Sequence, residues 1–257
     1  MSLPTDVVDY ILSFVEVATL QACAQSHPIL SELSERHLYS DIILHDELRS
    51  PDRNRLCLRI SQLAKLLSYD AHIVNYVRNL TIYVRSYMGW VRPINVEDIS
   101  SMLPMFPQLR KFTVTSRSNC RWQQLPKKFR SAFFDTLNLR PLKDVSIERI
   151  SGFPLSSLGT MRNLTLDTYT CHIMSPGSPG ALHRQGSATL ESLSIRNCDE
   201  MALRIITSWV RGRRVRSLKF PDLQEYKLLP QLFSGCAESL TSLDLDITVG
   251  CASCIFL

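Results

Sequence analysis

The chain has 257 residues, 45% of them hydrophobic and 21% charged, with a net charge of +5. That is a globular composition with enough length for a sizeable core. No apolar run reaches the about eighteen residues of a membrane-spanning helix, and the positive charge is too thinly spread, with too few aromatics between, for a nucleic-acid surface.

The eight cysteines are scattered, with no close pair before Cys251 and Cys254. Met1–Pro4 carries no basic leader region. Reduced thiols in a cytosolic or nuclear protein are therefore expected.

In chain order, Pro4 suits a first helical turn, where its missing N–H is no loss. Val7, Val8, Ile11, Leu12 and Val15 then form one apolar stripe on a helix of about three turns. Asp6 in the first turn complements the helix dipole. A second short helix is expected over Thr19–Gln25, with Thr19 as N-cap and Leu20, Cys23 and Ala24 inward. Pro28 opens a third, carrying Ile29, Leu30, Leu33 and His37. Three short helices make a small core and gain by lending an apolar face to a partner. The plainer alternative is a helical cap on whatever follows.

Leu3-Pro4, Val7-Val8, Ile11-Leu12 and Phe14, Leu20 and Cys23, then Leu30, Leu33 and His37-Leu38-Tyr39 together resemble the F-box. The likeness is greatest to the F-box-containing families of filamentous fungi. Ser26, His27 and Pro28 stand where that family usually has Arg and Trp. The resemblance implies docking to a Skp-type adaptor, and through it to a cullin–RING ubiquitin ligase. It implies Leu3, Pro4, Val7, Val8, Ile11, Leu12, Leu20 and Cys23 as the adaptor-binding residues.

Asp46–Arg55 reads as a polar linker, and Leu56, Ile60, Leu63, Leu66 and Leu67 have helical spacing over Arg55–Ser68. A hexad, apolar-x-x-apolar-x-apolar, follows seven times: Val77/Leu80/Ile82, Leu109/Phe112/Val114, Leu142/Val145/Ile147, Met161/Leu164/Leu166, Leu190/Leu193/Ile195, Val215/Leu218/Phe220 and Leu240/Leu243/Leu245. Successive copies lie 19 to 33 residues apart, around the leucine-rich-repeat period of about 20–29. The alternation gives each hexad one apolar and one polar face. Helical patterns lie between them, over Val96–Phe106, Lys127–Leu139, Glu200–Val210 and, interrupted by Pro230, Tyr226–Cys236.

This alternation predicts an α/β fold: a right-handed solenoid, parallel strands inside and helices outside. It resembles irregular leucine-rich repeats, with Cys198 at the family's turn position. An ordinary α/β domain with a parallel sheet is the alternative. The expected organisation is an F-box-like helical domain over 1–45, a linker and connecting helix over 46–74, and the leucine-rich-repeat-like region over 75–257, which reads as possibly truncated. Ser175–Ser187 is rich in Pro, Gly and Ser and reads as a loop on the rim.

The polar strand face, including Thr81, Thr113, Thr115 and Ser146, would carry a protein substrate. Tyr83, Glu148, Asp167, Arg196, Lys219 and Asp246 are the candidate contacts. Arg211, Arg213, Arg214 and Arg216 read as a solvated helix-to-strand turn. No phosphate loop, metal-ligand spacing or nucleophile motif occurs, so no catalytic residue, metal or cofactor is expected. Cys254-Ile-Phe-Leu257 fits a prenylation box; the competing reading is an unfinished repeat.

Three functions follow as expectations. The first is a non-catalytic substrate receptor of a Skp–cullin–F-box ubiquitin ligase, cytoplasmic or nuclear, with an adaptor and a protein substrate as partners. The second is a repeat scaffold that does not engage the ligase. The third is an adaptor tethered to a membrane, if Cys254 is prenylated.

Overall fold

The computed structural model describes residues 3–45, 55–84, 86–87, 90–91, 96–139, 142–155, 158, 161–167, 189–197, 200–211, 213–220 and 229–245. The linker segment over 46–54, the loop over Ser175–Ser187, and Cys198, Asp246 and Cys254 lie outside them.

Three helices open the chain: α1 (Thr5–Leu12), α2 (Val17–Ser26) and α3 (Pro28–Leu38). Pro4 is the N-cap of α1 rather than part of its first turn, and its carbonyl accepts the N–H groups of Val7 and Val8. The helix stops at Leu12, so Val15 lies beyond it. Thr19 is not a cap: α2 begins two residues earlier, with Glu16 at the N-cap position. Pro28 opens α3 as its fixed φ favours, and His27 Nδ1 accepts the Ile29 N–H at 3.2 Å. His37 Nε2 lies 2.9 Å from Asp9 Oδ1 and ties α3 to α1.

Strands β1 (Asp41–Leu44) and β2 (Leu56–Leu58) follow, then α4 (Ile60–Tyr69) and β3 (Asn79–Val84). A short antiparallel pair, β4 (Ser86–Tyr87) and β5 (Trp90–Val91), precedes α5 (Val96–Met102). The remainder is β6 (Lys111–Arg121), α6 (Lys127–Leu139), β7 (Asp144–Ser151), β8 (Asn163–Asp167), β9 (Thr189–Arg196), α7 (Glu200–Val210), β10 (Arg214–Phe220), α8 (Leu229–Cys236) and β11 (Ser242–Leu245).

The fold is α/β. Nine strands form one sheet in the order β2-β1-β3-β6-β7-β8-β9-β10-β11, and every neighbouring pair in it is parallel. From β3 onward, each strand of this sheet pairs with the next one in the chain. The sheet begins at residue 41, not 75, because Ile42 and Leu44 pair with Leu80 and Ile82 on one side and with Leu56 and Leu58 on the other. The expected helix over Arg55–Ser68 is therefore split: its first residues are β2, and α4 starts at Ile60.

Register explains the hexads. Leu80, Phe112, Val145, Leu164, Leu193, Leu218 and Leu243 stand opposite one another across seven successive strands. In a strand the side chains two residues on share the face, so Ile82, Val114, Ile147 and Leu166 make a second apolar row. Helix residues such as Leu63, Ile99, Phe133, Ile206 and Leu232 join these rows in one buried cluster. Parallel sheets need crossovers of this kind. An aromatic knot of Phe112, Trp122, Phe133, Phe134 and Phe153 sits at its centre, with Phe133 5.2 Å from Trp122 between ring centroids. Pro230 does not interrupt α8; it lies in the first turn, where its missing N–H costs nothing.

Candidate functional site

The predicted stripe on α1 divides into two faces. Val8, Leu12 and Val15 turn inward, where Leu12 joins Leu20, Leu33, Leu38 and Leu56 in a small core and Val8, Val15 and Cys23 pack against it. Val7 and Ile11 turn outward, with Leu3, Tyr10 and Phe14 beside them at helical spacing; Ile11 is 49% exposed and Phe14 72%. Ile29 of α3 is exposed as well. The Tyr10 and Phe14 rings meet edge to face, 4.9 Å apart. Dedicated to solvent, such a ridge has no stabilising role, and apolar patches of this kind mark interaction surfaces.

Of the eight residues expected at the adaptor, Leu3, Pro4, Val7 and Ile11 are exposed, and Val8 and Cys23 are half-buried. Leu12 and Leu20 are both 4% exposed and build the domain's own core. They pack there with Leu33 and Leu38 of α3 and Leu56 of β2. Tyr10 and Ile29 were missed, although Tyr10 and Phe14 at i, i+4 already share a helix face.

On the sheet, the candidate substrate contacts fall in two rows. Tyr83, Thr115, Glu148, Asp167 and Arg196 are in register across β3, β6, β7, β8 and β9. Lys219 belongs to the neighbouring row, opposite Ser194 and Asp244. Glu148 Oε1 accepts the Ser146 hydroxyl at 2.9 Å, and Asp167 Oδ1 accepts the Asn197 amide at 2.9 Å. Thr113, Thr115 and Ser146, expected on the open face, are buried. The accessible part of this face is therefore narrower than alternation alone implies.

Arg211 and Arg213 do lie in the turn between α7 and β10, while Arg214 and Arg216 belong to β10 itself. The Arg213 guanidinium sits 4.3 Å from the Trp209 ring centroid, and burial pushes its pKa down. A second basic feature escaped notice in the sequence. The residue after each hexad's first apolar position is Arg78, Arg110, Lys143, Arg162 or Arg216 in five of the seven copies, all exposed. The turn hydrogen bonds stack three of them: Arg110 N–H donates to the Arg78 carbonyl, and Lys143 N–H to that of Arg110.

Four described cysteines, Cys23, Cys57, Cys120 and Cys236, are free thiols. Burial pushes the Cys120 thiol up to about 11. Among the described residues no three His, Cys, Asp or Glu side chains converge on a possible metal position. No described helix is long and apolar enough to cross a membrane. Compared with known protein families, curated proteins and solved structures, the chain matches none.

Proposed function

We propose that this chain is the substrate-recognition subunit of a Skp–cullin–F-box ubiquitin ligase. In this proposal α1–α3 form an F-box-like domain that seats on a Skp-type adaptor. The stepwise parallel strands with their intervening helices act as an irregular leucine-rich-repeat-like solenoid. Its polar face, around Tyr83, Glu148, Asp167 and Arg196, takes a protein substrate, and the chain itself performs no chemistry.

One observation carries the proposal. A three-helix unit with its own leucine core leaves Leu3, Val7, Ile11 and Phe14 in water on the face opposite that core. A mere cap on the sheet would turn those side chains inward. Covering them with a partner recovers about 1.5–3 kcal/mol for each side chain fully buried.

The test is co-purification of the full chain with a purified Skp-type adaptor. The wild type should form a complex and Ile11→Asp should not, with circular dichroism unchanged. A wild type that does not bind removes the ligase assignment and favours the scaffold; a bound Ile11→Asp removes the ridge as the docking surface.

A further inference from the structure

Just beyond the ends of β6 and β7 lies a pocket of about 390 Å³, within the range of small-ligand sites. Trp122 and Phe134, their ring centroids 5.6 Å apart, give it flat apolar walls. Lys127, Arg130, Ser131 and Gln123 supply the polar lining. Gln123 is oriented by its side-chain amide, which donates to the Gly152 carbonyl at 3.2 Å.

Two cations share this space, and neither has an ion-pair partner among the described residues. The Arg130 Nε is shut off from solvent and makes no hydrogen bond. Lys127 also begins the thirteen-residue helix α6, whose positive dipole end adds to the same field.

We propose that this pocket binds an anionic group carried on a flat apolar body, with a phosphate monoester as the preferred anion. A guanidinium fork and an ammonium together match a dianion, and the Ser131 hydroxyl adds a neutral donor. The aromatic walls take the ring or chain that bears it. This site does not depend on the ligase proposal and stands or falls without it.

Isothermal titration of the full chain tests it, with phenyl phosphate as probe and benzyl alcohol as its uncharged counterpart. Phenyl phosphate should saturate one site. Lys127→Gln and Arg130→Gln should each weaken it about tenfold or more, the loss of one charge-assisted contact. Lys128→Gln, next on the same helix but outside the pocket, should bind as the wild type does. No saturable binding, equal affinity for benzyl alcohol, or equal weakening by Lys128→Gln would overturn the proposal. Should Arg130→Gln fail to fold, Lys127→Gln at the exposed helix start carries the test. A phosphotyrosine peptide binding tighter than phenyl phosphate assigns the pocket to a protein side chain; equal affinities assign it to a free small molecule.

Discussion

Ile11 and Leu12 are adjacent on α1 and have opposite surroundings, so truncating each in turn separates docking from folding. Leu12 is 4% exposed within a core of five leucines. Leu12→Ala should cost about 2–5 kcal/mol, a large share of what so small a core can supply. Ile11 is already half in water, and Ile11→Ala should change stability by less than about 0.5 kcal/mol. Against an adaptor the balance reverses. Covering the exposed half of an isoleucine is worth roughly half of 1.5–3 kcal/mol, so Ile11→Ala should weaken the complex about fivefold. Ile11→Asp adds the cost of a carboxylate in an apolar seam, and the complex should be lost. Amide hydrogen exchange across α1–α3 reads the stability, and titration with the adaptor reads the affinity. Equal loss of protection in Ile11→Ala and Leu12→Ala would mean that Ile11 is core, and the separation would fail.

Phe133 lies at the centre of the aromatic knot, and Phe133→Ala should cost about 3–5 kcal/mol. Thermal unfolding should then begin roughly 10 °C lower; a shift under about 2 °C would show that the knot is not a stability centre. Gly152 has a φ of +70°, and a Cβ there would meet Gln123 Oε1 at 2.8 Å. Gly152→Ala should therefore cost about 1–2 kcal/mol in urea unfolding, and an unchanged midpoint would refute the strain. Native alkylation with iodoacetamide should label the half-buried Cys23 and Cys57 first. Cys120 and Cys236, buried and with thiol pKa values pushed up by that burial, should label only after denaturation, as peptide masses will show.

The hexads were legible because a period of two is the direct imprint of a strand with one covered face. Their register needed no long-range knowledge, since each copy meets the next. Leu56 was misread because Leu56, Ile60 and Leu63 also fit a helical period. Short apolar runs are ambiguous until their partner is known, and here that partner is β1. The two faces of α1 were invisible for a similar reason: Val7, Val8, Ile11 and Leu12 are equally apolar, and only the position of α3 decides which pair is covered. The pocket could not be read from the sequence at all. Lys127 and Arg130 share a helix, but the Gly152 carbonyl that orients Gln123 comes from beyond the next strand.

Leu56 is at once a sheet residue, opposite Ile42, and a member of the helical core, while Tyr39 and Leu58 touch both clusters. The two halves of the molecule therefore share side chains instead of hanging on a tether. On the proposed reading, a molecule seated on Ile11 and another resting on the strand row from Tyr83 to Arg196 would have their separation set by that shared packing, like the jaws of a set calliper. In a ligase, that fixed gap would choose which lysines of the cargo come within range of the ubiquitin donor.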